Sequence, residues 1–266
     1  MIPEHRRAEI TLAVQRVYKE AELDPETLNP GVVPLYDLIR AYPIRVAEVK
    51  DMTAHSVAEF LEAETGQVLP IPDNEDRKLA GYLYLQEYQG LFYGCILVEK
   101  KPQSAPVSRR RFSAAHELGH YLLHFLPLLE CHQKDNSGDP LILTEGLYVA
   151  KKSEVDDESD DETDADSDEP TAQLTFTNGV QAVLDSLGMD RQQMEEEADQ
   201  FAAELLMPAP ACQELAKRYR RRFGNKRKVL ARRLATEFLV SNEAMRRRLG
   251  DLKLPEKLAD FDFKTI

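Results

Sequence analysis

The sequence predicts a fold in which helices outnumber strands and a small β element sits between them. Three patterns predict it. Apolar residues recur at helical spacing near the start (Ile10, Val14, Val17, Ala21). Two aromatic-rich apolar runs, GYLYLQEY and FYGCILVE, are separated by a short Gln-Gly link, as in a hairpin. From about Asp190 to Leu252 the chain reads as helix, with few breaks.

Taken in order, a first helix runs from Pro3 to about Leu23 and is punctuated by Asp24-Pro25 and Asn29-Pro30-Gly31. A short second helix covers Val33 to Ala41, and IRVAEV after Pro43 reads as a strand. Thr53 is a good N-cap for a third helix that ends at Gly66. The hairpin follows. A helix capped by Ser108 then runs to about Phe125, where Pro127 ends it. Residues 130–170 lack sustained periodicity and are rich in Asp, Gly and Ser, which predicts a disordered insertion. A helix from Asp190 to Met207 stops at Pro208-Ala209-Pro210. The remainder is helical and basic, with a break at Phe223-Gly224-Asn225 and Ser241 capping the last helix.

Composition narrows the class. A chain of 266 residues, 42% hydrophobic and 30% charged, can bury a core. It has no apolar run approaching the roughly 20 residues of a membrane span, and its first residues lack the apolar centre of a signal peptide. Cys95, Cys131 and Cys212 are isolated and odd in number, which suggests neither a disulfide framework nor a paired-cysteine metal knuckle. The expectation is a cytoplasmic protein without a membrane partner. The net charge of −13 is segregated: residues 153–169 hold eleven acids and no base, whereas 217–233 hold ten Lys and Arg and no acid.

The stretch RRRFSAAHELGHYLLHF, 109–125, carries the chemistry. On a helix His116 and His120 lie on nearly the same face, so both imidazoles can reach one ion, and Glu117 flanks the open coordination position as a general base. A third ligand is required. Six residues past His120, where one zinc-peptidase class places another histidine, stands Leu126. His124 is too far along a regular helix to join the same ion as His116 and reads as a partly buried histidine. The segment EEEADQFAAELLMP offers Glu195 instead, with Asp199 four residues later to hold a ligand histidine's distal N–H. Read alone, three consecutive glutamates describe a solvated helix face; beside the histidines, ligation is the better reading. Donor type favours one Zn²⁺ per chain, although Mn²⁺ or Fe²⁺ suits two histidines and a carboxylate as well.

These segments resemble the ImmA/IrrE family of zinc metallopeptidases, which act on helix-turn-helix repressors. The likeness lies in RRRFSAAHELGHYLLH, in EEEADQFAAELLMP and, more weakly, in ATEFLVSNEAMRRRLGDL. The resemblance implies an α+β fold with helices packed on a small twisted sheet, zinc held by His116, His120 and Glu195, and Glu117 as base. Together with the residue patterns, this divides the chain into a peptidase domain over 1–212, interrupted by the disordered acidic insertion expected near 131–170, and a helical, helix-turn-helix-like segment over 213–266. The gap between His120 and Glu195 is longer than the family pattern leads one to expect, and the acidic insertion accounts for it.

The implied function is a zinc-dependent endopeptidase that cleaves a helix-turn-helix transcriptional repressor, relieving repression of stress or mobile-element genes. The rival is a non-proteolytic regulatory or antitoxin-type binding protein that keeps the fold. Intact Glu117 favours the enzyme. The basic C-terminal helices make DNA contact imaginable, but a solvated basic face is the commoner meaning of such a pattern. For the acidic tract a solvated loop is preferred over a plug or a DNA mimic. FYGCILVE is the candidate edge strand for an extended substrate, with a plain core hairpin strand as the equal alternative. Tyr88, Tyr93, Tyr121, Tyr148 and His132 are the oxyanion-stabilising candidates, and the pattern does not choose among them.

Overall fold

A computed structural model describes residues 2–25, 31–66, 78–88, 91–100, 107–128, 142–148, 188, 190–223 and 227–252. In chain order the elements are α1 (Glu4–Glu20), α2 (Leu35–Ile39), β1 (Ile44–Val49), α3 (Ala54–Thr65), β2 (Leu79–Tyr88), β3 (Leu91–Glu99) and α4 (Val107–His120). A π-helical turn (Tyr121–Phe125), β4 (Ile142–Tyr148), α5 (Arg191–Leu206), α6 (Ala209–Phe223), α7 (Arg227–Phe238) and α8 (Asn242–Asp251) complete it. The fold is α+β, with a helical C-terminal segment.

The sheet has the order β1-β3-β2-β4. β2 and β3 form the expected antiparallel hairpin, with Tyr88 opposite Leu91. β1 joins β3 in parallel and β4 joins β2 antiparallel. Two expectations fail here. β3 is flanked by a partner on each side, so its backbone groups are committed to the ladder and FYGCILVE is not an edge strand; among the described residues the edges are β1 and β4. β4 itself falls inside the segment read as a disordered insertion. Its sequence, ILTEGLY, is too short to show a period, and pairing with β2 decides its state. The acidic tract 153–169 lies outside the described residues.

Side chains alternate across the hairpin, as strand geometry requires. Leu83, Leu85, Ile96 and Val98 point into one core, with α1, α2, α4 and α5. Tyr82, Tyr84, Cys95 and Leu97 point into a second, with Val49, Met52, Val57 and Leu61 around α3. The C-terminal helices contribute Cys212, Leu215, Leu230, Leu234, Phe238, Met245 and Leu249 to the first core. Buried Arg248 fastens α8 to the end of α5, its Nε donating to the Met207 carbonyl at 3.1 Å. The basic tract supplies exposed residues of α6 and α7, among them Lys217, Arg218, Arg221, Arg232 and Arg233.

The caps follow sequence logic. Thr53 and Ser56 form a reciprocal capping box at α3, and Asp190 and Gln193 form another at α5, each satisfying N–H groups that the first turn leaves unpaired. Ser241 accepts from the Ala244 N–H at 3.0 Å. Ser108 is not a cap, because α4 already includes Val107. Nor does Pro127 end the helix at Phe125. The chain widens into a π turn, in which the Leu126 N–H bonds the Tyr121 carbonyl, and helical backbone continues to Leu128. Five-residue bonding just before the proline gives the chain a way past a residue that cannot donate to the carbonyl four back.

Candidate metal centre

α4 runs beneath the sheet from β1 toward β2. Near its start Arg110 pairs with Glu48 of β1 at 2.8 Å. Near its end Glu117 lies under Gly81 of β2, so close that a Cβ on Gly81 would stand 2.5 Å from Glu117 Oε1. Every residue from Ser113 to His120 is buried. A polar sequence therefore occupies the centre of a core, an unusual expense of desolvation unless the groups serve one another or a ligand.

Close helix packing brings in the third group. At Gly119 an added Cβ would meet Ala198 Cα at 3.2 Å and Phe201 Cδ1 at 3.0 Å. The glycine between the motif's leucine and second histidine therefore lets α5 lie directly against α4. One turn before Ala198, Glu195 reaches the histidines. Its Oε2 is 3.2 Å from His116 Nε2 and its Oε1 is 3.8 Å from His120 Nε2, while the two Nε2 atoms are 2.9 Å apart. These three residues form the one group of metal-competent donors found among the described residues.

The donor set fits a cation. Metal bonds of roughly 2.1 Å in a tetrahedral arrangement put neighbouring donors about 3.4 Å apart, and the observed separations bracket that value. Charge agrees with geometry. Burial opposes protonation of both imidazoles. At His116 the hydrogen bonds and charge of Asp199 and Glu195 outweigh it and hold the ring well above the ordinary histidine value. At His120 burial wins, with help from neighbouring His116 and His124, and the value falls to about 4. Burial would raise Glu195, but its bonds to the two imidazoles keep it far below the usual carboxylate range. The surroundings of the cluster thus favour positive charge among its donors.

Support for the two imidazoles differs. His116 Nδ1 meets Asp199 Oδ1 at 2.9 Å, and Asp199 is half exposed. His120 Nδ1 faces His124 Nδ1 at 3.1 Å, and His124 Nε2 faces Glu197 Oε2 at 3.3 Å. Glu197 in turn accepts from Arg6 of α1, from Nε at 2.9 Å and from Nη2. Sequence reasoning named Asp199 for the distal N–H of a histidine in the motif, and in the structure Asp199 stands against His116 Nδ1. It gave no role to His124, Glu197 or Arg6, and His124 is fully buried rather than partly so. The four-residue spacing of His120 and His124 was a readable signal. The Arg6 partner lies 191 positions from Glu197 and was not readable.

Of the oxyanion candidates, Tyr121 is buried edge-on to Tyr42, with ring centroids 6.0 Å apart. Tyr93 is exposed and borders a groove with Arg45, Tyr84 and Cys95. Tyr88, Tyr148 and His132 lie outside the residues whose side chains are described.

The helix pair carries a possible metal site of two histidines and a glutamate. Residues 181–250 match the family model of the IrrE N-terminal-like domain, Peptidase_M78, and the match supports the ImmA/IrrE family and a metallopeptidase-type function. The matched span takes in Glu195 and Asp199 and lies downstream of His116, Glu117 and His120. No curated protein matches the chain. No helix among the described residues is long and apolar enough to cross a membrane.

Proposed function

We propose that this chain is a zinc-dependent endopeptidase of the cytoplasm whose substrate is a helix-turn-helix transcriptional repressor. The observation that carries the chemistry is the convergence of His116, His120 and Glu195, three protein donors with Glu117 next to the first of them. A structural zinc site is closed by four protein ligands, whereas three leave a position for reaction. When bound, the metal would polarise the scissile carbonyl and lower the pKa of a water molecule to about 7.

The chain's own residues do the rest. Glu117, held between α4 and Gly81, is the group that takes the attacking water's proton and passes it to the leaving amine. Asp199 accepts from His116 Nδ1 and so keeps that ring's Nε2 directed at the donor cluster. The histidine side of the cluster is dry, while Glu195 and Asp199 are partly open to solvent, which leaves an approach for a peptide from the α5 side. The repressor substrate is supported only by the resemblance to the ImmA/IrrE family.

Metal content by mass spectrometry tests the centre. One zinc per chain is expected in the wild type and none in Glu195→Ala. Glu117→Gln should then retain zinc and lose cleavage of candidate repressors. Cleavage that survives in Glu117→Gln would remove the general-base role, and zinc-loaded wild type that binds repressors without cutting them would favour the binding-protein reading.

A further inference from the structure

We propose that His124, Glu197 and Arg6 form a buried positioning relay that fixes the ring orientation and tautomer of His120, so that its Nε2 lone pair is presented to the metal. The inference rests on the metal-centre reading above and deepens it. It assigns a function to three residues that neither the His-Glu-x-x-His core nor the ligand set includes.

Proton accounting leads to it. Glu197 is gripped at both oxygens by Arg6, whose Nε donates to Oε1 at 2.9 Å and whose Nη2 donates to Oε2. An ionised carboxylate only accepts, so the His124 nitrogen that faces it, Nε2 at 3.3 Å, carries a proton. A neutral His124 then has a bare Nδ1, which can only accept. The nitrogen opposite, His120 Nδ1 at 3.1 Å, must be the donor. That leaves the His120 lone pair on Nε2, the atom that faces His116 and Glu195. Each link has one polarity, and the polarity is set at the far end by an arginine from the first helix.

The geometry that permits this is the π turn. His124 lies within it, and its ring is tilted 50° to that of His120, with centroids 5.1 Å apart, which brings the two Nδ1 atoms together. His120, His124 and Glu197 are almost wholly buried, so water does not replace a lost partner. Asp199, by contrast, reaches His116 from solvent. The ligand that lacks a carboxylate neighbour of its own receives one at second hand, through His124.

Two measurements on the full-length protein test the relay. The first is zinc affinity by competition with a chelator, alongside thermal unfolding of the metal-free form. Substitution His124→Leu removes the acceptor and is expected to weaken zinc binding roughly 10–100-fold, the range usual for loss of a group that orients a ligand. His124→Asn places an amide oxygen near the former Nδ1 and should recover most of that loss, although it destabilises the fold as well. Glu197→Gln should weaken zinc roughly 10-fold or more, because an amide cannot both accept from Arg6 at two positions and accept from His124. A purely structural network would lower the unfolding temperature in all three variants and leave the affinity of the folded fraction unchanged. That result would overturn the relay while the metal centre stood.

The second measurement needs no variant. Long-range proton–nitrogen NMR of the zinc-loaded wild type should show His124 protonated at Nε2 and bare at Nδ1, with His120 protonated at Nδ1. A proton on His124 Nδ1 would overturn the proposal even if His124→Leu fails to fold. Wild-type protein that takes up no zinc at all would instead overturn the metal-centre reading, and the relay with it.

Discussion

The two faces of the sheet are built from alternate residues of the same strands, yet they are different materials. The face toward α3 is covered by Val57 and Leu61 over Tyr82, Tyr84, Cys95 and Leu97, and its packing is that of an ordinary small core. The face toward α4 and α5 buries His116, Glu117, His120, His124 and Glu197 among leucines and phenylalanines. Burying so many ionisable groups is favourable only where each has a partner or a ligand. The comparison teaches where function and stability part company in this fold. One face can be altered at the expense of folding alone, whereas the other carries groups that partner one another and could hold a metal ion.

The largest expected effect breaks the polar face. Glu195→Ala removes one of three donors and should abolish stoichiometric zinc, read as metal per chain, while leaving a folded protein, since the side chain is partly exposed. The dry face should give the opposite pattern. Leu61→Ala is expected to lower stability by about 2–5 kcal/mol, measured by denaturant unfolding, with zinc affinity of the folded protein unchanged. If zinc affinity fell in parallel, the two faces would not be separable as argued.

A pH experiment sharpens the contrast. Burial alone would raise Glu197, but its bonds to His124 and Arg6 bring it down to about 2 from an ordinary 4.5. A carboxylate with a lowered folded-state pKa stabilises the protein above its unfolded value and stops doing so as pH falls through the folded one. Its contribution, on the order of 3 kcal/mol by linkage, should therefore be complete at pH 6 and vanish between about pH 4.5 and 2. The stability difference between wild type and Glu197→Gln, followed by urea unfolding across that range, should shrink accordingly. A difference that stays constant to pH 2 would show that Glu197 gains nothing from its charge. Smaller again is Gly119→Ala, which sets a methyl group against the Ala198 backbone. A loss of about 1–3 kcal/mol is expected, together with weaker zinc binding, because α5 must move away from α4 and take Glu195 with it.

Much of this was written locally. The Thr53 and Ser241 caps, the hairpin, the helical spacing of α1 and the extent of α5 are decided by residues within a few positions of one another, and they were legible for that reason. So was the donor set, because two histidines on one turn and an acid pair on another helix are meaningful together before their contact is known. β4 was not legible, since a seven-residue strand without a clear period is decided by the neighbour it pairs with. The position of β3 inside the sheet was hidden for the same reason: nothing in FYGCILVE says that IRVAEV will lie along it in parallel.

The sequence by itself determined which residues could hold a metal and on which helices they stand, because periodicity and side-chain chemistry are local properties. Only the tertiary structure decided how those helices meet. Gly119 and Gly81 mattered through what approaches them, Ala198 and Phe201 in one case and Glu117 in the other. His124 became more than a core histidine only when a π turn brought it to His120, with Glu197 on its far side. Arg6 was set beside Glu197 by the packing of the first helix on a helix nearly two hundred residues later. Contacts at such sequence separation are chosen by the closure of the core as a whole, and no stretch of the chain carries them alone.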